Sequence, residues 1–260
     1  MIANYLKKRL SVSQKRKLRN LFNFIKTFGL GNNLNKLAKF YGTDKFGKHL
    51  YTPHYSRHLC KFKYKKIKLL EIGVGGYWDP NYGGHSLRMW KRYFPFGDIF
   101  SIDIYDKSQI QENRIKIFKG SQIDIEFLDE IIKEIGELDI IIDDGSHINE
   151  HVIGSFNFLF PKLKDGGIYV IEDTQTSYWE DFGGDSINLN NPKTTMNYFK
   201  SLTDSLNNEE FRIKNYEKSY FDKKITSMHF YHNLIFIYKG TNHEKSNNVV
   251  NSLFKLNTIE

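Results

Sequence analysis

Ile67-Lys68-Leu69-Leu70-Glu71-Ile72-Gly73-Val74-Gly75-Gly76 is an apolar run closed by a cluster of glycines. Its first half reads as a buried strand and its second half as a tight turn that lets backbone amides approach a ligand. Outward from it, His85 to Tyr93 has the spacing of a helix and Ile99 to Asp103 that of a second strand. The rhythm repeats: strand Ile115–Phe118, helix Asp124–Ile135, strand Leu138–Ile142, helix Glu150–Phe160, strand Gly167–Ile171. Strands alternating with helices imply βαβ units, hence a parallel sheet covered on both faces. Beyond a helix expected over Met196–Leu206, the runs Thr226–Tyr231 and Leu234–Tyr238 flank His232-Asn233, a hairpin break. The expected fold is therefore α/β and Rossmann-like: a doubly wound, mostly parallel seven-stranded sheet with an antiparallel last strand.

Composition narrows the class. The 260 residues fit one such domain, and 40% hydrophobic content excludes a disordered chain. Cys60 stands alone, which excludes an internal disulfide or a Cys/His zinc site and fits a reducing cytoplasm; it reads as a small, half-buried residue. No run approaches the roughly 18–20 apolar residues of a membrane span, and no secretory signal pattern is visible. The net charge of +8 is local. Residues 1–30 hold eight lysines and arginines and no acid, and the rest of the chain balances at 30 basic against 30 acidic residues. That leaves no footprint for a nucleic-acid polymer. Leu10, Leu18, Phe22 and Ile25 form an apolar stripe on this arm, for which the expected partner is the protein's own domain or another subunit rather than an anionic membrane. Residues 1–40 are thus expected to be a basic helical arm, 41–240 the domain and 241–260 a polar tail.

The glycine turn differs from a dinucleotide fingerprint. Glu71 precedes the glycines inside the strand, the third glycine is missing, and Tyr77-Trp78-Asp79-Pro80-Asn81-Tyr82 enlarges the loop before His85-Ser86. Asp103, at the end of the second strand, is placed to accept both hydroxyls of an adenosine ribose. The segment Lys119 to Asp124 is where an adenine amino group would find an acceptor, although Asp103 and Asp124 also suit strand-end and helix-cap roles.

Ile142-Asp143-Asp144-Gly145-Ser146-His147 follows the fourth strand and Ile171-Glu172-Asp173-Thr174 the fifth. Neighbouring strands bring both segments to one crevice, and four carboxylates crowded together require protons or a cation. An all-oxygen donor set suits a hard ion such as Mg²⁺ or Mn²⁺. His147 follows Asp144 by three residues, and an imidazole there suits a general base. Tyr77, Tyr178 and Trp179 are candidates for stacking on a substrate.

The strings EIGVGGYWDPNYGGHSLRMW, IDDGSHINEH and IEDTQTSYW, in this order, resemble the class I S-adenosylmethionine-dependent methyltransferases, in particular the metal-dependent sugar O-methyltransferases that modify macrolide deoxysugars. The resemblance runs from about Tyr41 to Trp179. It implies that Glu71, Gly73, Gly75, Gly76, Tyr77, Ser86, Asp103, Gln122 and Ile123 surround S-adenosylmethionine, and that Asp144, Glu172 and Asp173 ligate the metal with Asp143 behind them. It further implies a homo-oligomer; His147, from its place three residues after Asp144, and Asp144 itself are the expected catalytic residues. The expected acceptor is a small-molecule sugar, either part of a bacterial surface glycan or nucleotide-activated. The segment Gly42-Thr43-Asp44-Lys45…Tyr51-Thr52-Pro53-His54-Tyr55 is assigned only to the rim of the site.

Three other readings compete. A phenol or a phosphorus-linked oxygen would suit the same acidic cluster. A nicotinamide-dependent oxidoreductase lacks its third glycine and has little use for the acids. A non-catalytic binding module leaves the carboxylate–histidine cluster unexplained. The Asn/Asp-Pro-Pro-aromatic loop of amino-group methylation is absent.

Overall fold

The computed structural model describes residues 11–30 and 33–246. Seven strands, β1 (Lys68–Ile72), β2 (Asp98–Asp103), β3 (Ile115–Lys119), β4 (Leu138–Asp143), β5 (Leu163–Glu172), β6 (Ile225–Tyr231) and β7 (Leu234–Lys239), form one sheet in the order β3-β2-β1-β4-β5-β7-β6. The pairs β1–β2, β1–β4, β2–β3 and β4–β5 are parallel, and β7 is antiparallel to both β5 and β6. This is the expected architecture.

The alternation of apolar side chains explains the layers. Leu69, Ile140, Ile168 and Phe236 point to one face and meet Leu37, Tyr55 and Trp90. Their neighbours Leu70, Ile141, Tyr169 and Ile237 point to the other and meet Leu128, Ile131, Phe156 and Phe199. The first layer is built by α2 (Leu34–Tyr41), α3 (Thr52–Leu59) and α4 (His85–Tyr93), the second by α5 (Ile125–Ile135), α6 (Asn149–Leu159) and α7 (Thr195–Ser201). A sheet buried on both faces must be apolar at nearly every position, which is why β1, β4 and β7 read as continuous hydrophobic runs.

Three sequence expectations shift. Leu34, Leu37 and Ala38 are buried in the first layer, so the folded body starts before residue 41. The helix expected over Met196–Leu206 is interrupted at Leu202, giving α7 and α8 (Thr203–Leu206), and α9 (Tyr220–Lys224) precedes β6. Cys60 is exposed rather than half-buried. The arm forms α1 (Val12–Phe28), opened by a Ser11/Gln14 capping box; Leu10 and residues 247–260 of the expected tail lie outside the described residues.

The sheet reverses its winding between β1 and β4. Ligands of such folds bind in the crevice outside the carboxyl ends at that point.

Candidate functional site

The floor of the crevice is the glycine turn after β1. Gly73 has φ 93°, and a Cβ there would stand 2.2 Å from the carbonyl oxygen of Asp144, so only glycine lets the turn and the β4 loop touch. Gly75, by contrast, faces open space, with nothing within 4 Å of where a Cβ would lie. Asp103 splints this turn: its Oδ2 accepts from the Val74 amide at 2.9 Å and its Oδ1 from the Tyr105 amide at 2.8 Å. The buried Lys107 ammonium donates to the carbonyls of Asp79 and Tyr82 at 2.7 and 3.1 Å, pinning the enlarged loop that carries the exposed Tyr77. Ser86, in the first turn of α4, donates to Glu71 Oε2 at 3.0 Å.

The two candidates after β3 divide. Ile123 is exposed. Gln122 is buried: its Oε1 accepts from the Ser146 amide at 2.9 Å and its Nε2 faces Asp143 at 3.3 Å, so it braces the β4 loop from below. Asp124 serves as the N-cap of α5, accepting from the Phe127 amide at 3.1 Å. The turn still fits an adenosyl ligand. Gly75 leaves backbone accessible, and each Asp103 oxygen that takes one N–H keeps a second lone pair.

At the carboxyl ends of β4 and β5 the structure gathers every acid expected there. Asp143 points into the second layer, where Ser155 donates to it at 2.8 Å; burial raises its pKa to about 6 against these bonds. Asp144, Glu172 and Asp173 turn the other way. At their centre lies a residue assigned from sequence only to the rim. Lys45, 1% exposed, places its ammonium 2.7 Å from Asp144 Oδ2, 2.6 Å from Glu172 Oε1 and 3.2 Å from Glu71 Oε1. Burial alone would lower the Lys45 pKa, but the charges of Asp144, Glu172 and Glu71 outweigh it and hold the ammonium form far into the alkaline range. Tyr55 adds a 2.5 Å hydrogen bond to Glu172 Oε1.

One ammonium cannot neutralise three carboxylates. Burial, with Asp144 nearby, therefore pushes Glu172 well above the usual carboxylate range despite Lys45, and burial pushes Glu71 up to about 7. The site is short of positive charge, and a divalent cation would supply what protons otherwise supply.

The lip of the crevice is the more open part. His147 Nε2 lies 3.9 Å from Asp144 Oδ1 and 3.7 Å from Asp173 Oδ2. One donor atom from each of Asp144, His147 and Asp173 falls within 4.8 Å of the others, as do those of Glu71, Asp144 and Glu172; Asp144 belongs to both groups. The expected trio of Asp144, Glu172 and Asp173 thus straddles the two. Tyr51 donates to Asp173 Oδ1 at 2.6 Å; this bond and the charge of His147 hold Asp173 below the usual carboxylate range although burial works against them. His147 and Asp173 have φ values of 57° and 54°, and Tyr77 on the facing loop 45°. Non-glycine residues held left-handed cost about 1–3 kcal/mol each and collect where geometry matters more than stability. Tyr77, Tyr178 and Trp179 are all exposed.

Lys45, Tyr51 and Tyr55 are the residues that motif reading underrated. Their signal was present, since all three lie in the GTDK…YTPHY string, but nothing local gave their direction.

No protein-family model matches the chain. The chain is 47% identical over 214 residues to mycinamicin VI 2''-O-methyltransferase of Micromonospora griseorubida, covering 82% of this chain and 54% of that protein. It is also 47% identical over 214 residues to demethylmacrocin O-methyltransferase of Streptomyces fradiae, with the same shares. The solved structure of MycE methyltransferase in complex with Mg and SAH superposes with a TM-score of 0.81 at 44% identity, covering 87% of this chain and 60% of that one. The chain spans about half the length of the curated relatives it matches. In fold it is a class I methyltransferase, and over most of its own length it resembles the metal-dependent, mycinamicin-type sugar O-methyltransferases.

Proposed function

We propose that this chain transfers a methyl group from S-adenosylmethionine to a hydroxyl of a sugar, in the cytoplasm, with Mg²⁺ (or Mn²⁺) held by Asp144, Glu172 and Asp173. The observation that carries the reading is the charge-deficient carboxylate cluster opening, through Asp144 and His147, beside the glycine turn. Relatives named as O-methyltransferases of macrolides and polyketide glycosides support it.

Sugar hydroxyls are poor nucleophiles near neutrality. A divalent ion bound at the acids supplies the charge that lowers the hydroxyl pKa. The protein's own groups do the rest. Lys45 and Tyr55 fix Glu172, Tyr51 fixes Asp173, and these bonds preset the ligand oxygens. His147 takes the hydroxyl proton at Nε2. The carbon–sulfur bond breaks as the oxygen–carbon bond forms, leaving S-adenosylhomocysteine and a methyl ether; holding the three atoms in line is the part of the barrier that binding removes. Glu71 with Ser86, and the amides around Gly75, line the cofactor side. Tyr77, Tyr178 and Trp179 offer aromatic faces to the sugar ring.

The surface-glycan or nucleotide-linked acceptor expected from sequence draws no support from the relatives. Three of them are named for rhamnosyl tetracenomycin-C or olivosyl-oleandolide, so a sugar already attached to an aglycone is the better first acceptor to test. Calorimetric titration with S-adenosylhomocysteine, with and without Mg²⁺, beside Asp144→Ala, tests the core of the reading. Product binding, with a Mg²⁺ heat that the variant loses, is expected. A chain that binds no S-adenosylhomocysteine under either condition is not a methyltransferase.

A further inference from the structure

The basic arm carries an apolar face turned away from the protein. α1 is fixed to the body near its end: Thr27 is fully buried, its Oγ1 accepts from Arg92 Nε at 2.9 Å, its carbonyl accepts from Arg92 Nη2 at 3.2 Å, and the Arg92 guanidinium lies 5.1 Å over the Phe24 ring. At 3.6 residues per turn Thr27 is roughly opposite Leu18 and Ile25. Leu18, Leu21, Phe22, Ile25 and Phe28 fall on that outer side, and their exposures run from 42% to 72%. A helix covering its own domain shows the reverse, its apolar stripe inward and its polar residues outward. The stripe legible in the sequence is therefore not covered by the described part of the domain.

Charge says what covers it. Lys15, Arg19 and Lys26 are exposed along one margin of the stripe, and residues 1–30 contain eight cations and no acid. Two copies meeting through this face would bring like charges together, and the remainder of the chain offers no net negative charge. An anionic bilayer offers both what the apolar side chains and what the cations need. The helix is 17 residues long, and no described helix is long and apolar enough to cross a membrane, so α1 would lie in the interface plane.

We propose that α1 is an interfacial helix that docks the protein on the anionic lipid headgroups of a membrane, burying Leu18, Leu21, Phe22, Ile25 and Phe28 at the acyl boundary with Lys15, Arg19 and Lys26 among the phosphates. The proposal does not depend on the proposed chemistry.

Vesicle flotation of the full chain tests it. Phosphatidylcholine vesicles containing phosphatidylglycerol should carry the protein, pure phosphatidylcholine should not, and added salt should weaken the binding. A Phe22→Ser, Ile25→Ser double variant should bind the anionic vesicles at least about tenfold more weakly, while its thermal melt and its S-adenosylhomocysteine binding match the parent. Failure of the parent to float with anionic vesicles, or flotation unchanged in the variant, overturns the proposal. Equilibrium sedimentation covers the rival occupant: a parent dimer that becomes monomeric in the variant, without vesicle binding, makes the partner a second copy and overturns it as well.

Discussion

Asp144 stands between two halves of one acidic cluster that are built on opposite principles. On its inner side Glu71 and Glu172 are closed off from solvent around the ammonium of Lys45, which is itself 1% exposed. On its outer side His147 and Asp173 keep 23% and 19% of their side-chain surface, and no lysine or arginine is paired with Asp173 among the described residues. Buried charges need a counter-charge. The inner half carries a permanent one, anchored on the segment before α3, whereas in the outer half the basic group paired with Asp173 among the described residues is the His147 imidazole. The lysine-paired part of the cluster, closed to solvent, is thus separated from a part that stays partly open.

That separation can be broken from either side, and the largest effect is expected outside. His147→Ala should lower kcat by about 10²–10⁴ while S-adenosylhomocysteine binding and thermal stability stay at parental values. Loss of product affinity together with activity would instead make His147 part of the pocket wall. On the inner side, Lys45→Met keeps the length of the side chain and removes its charge. Leaving Glu71, Asp144 and Glu172 uncompensated should cost about 3–5 kcal/mol in urea denaturation. Because a divalent ion can take over part of the missing charge, Mg²⁺ should stabilise Lys45→Met more than it stabilises the parent. Equal Mg²⁺ effects on both proteins would mean that the two halves do not share their charge through Asp144.

The comparison also explains what the sequence made legible. The sheet could be read because parallel strands buried on both faces leave continuous apolar runs, and the carboxylates of β4 and β5 could be placed because strand ends of a doubly wound sheet converge. Lys45 could not. A lysine in a polar string reads as surface, and its partner Glu172 is 127 positions away. Tyr51 and Asp173 are separated by 122 positions in the same way. Gln122 was recognisable as a residue near the cofactor turn, but not that its amide points under the β4 loop toward Asp143. In α1 the periodicity revealed the stripe, but of the two covers expected for it the described part of the domain is not one, since Leu18, Phe22 and Ile25 are exposed. Patterns along the chain report element type and burial; they do not report the direction of a polar side chain or the partner of an amphipathic one.

A smaller effect separates the halves by pH. Burial raises Glu71 from 4.5 to about 7, so between these values the folded protein binds more protons than the unfolded chain and its stability falls as pH rises. The contribution is fully present below pH 4.5, is lost by about pH 7, and amounts to roughly 3 kcal/mol. Asp173, held below the usual range, contributes with the opposite sign, its stabilisation being lost on acidification. In metal-free buffer, Glu71→Gln should flatten the decline between pH 4.5 and 7 and leave the acid limb in place. An unchanged slope in the variant would exclude Glu71 as its source.

The smallest expected effects lie in the two tyrosines that hold Glu172 and Asp173. Tyr55 is fully buried and donates to Glu172; burial, reinforced by that carboxylate, keeps its own pKa well above the usual phenol value. Removing the hydroxyl leaves an acid in a closed space with one donor fewer, which costs about 1–3 kcal/mol. Tyr51 makes the equivalent bond to Asp173, but Asp173 is partly open, and water can replace the lost donor. Tyr55→Phe should therefore destabilise the fold by about 1–3 kcal/mol, and Tyr51→Phe by less than about 1 kcal/mol while weakening Mg²⁺ binding. The measurement is a pair of urea titrations with a Mg²⁺ titration of each variant. If Tyr51→Phe costs as much stability as Tyr55→Phe, the outer half is as closed as the inner one, and the division of labour around Asp144 fails.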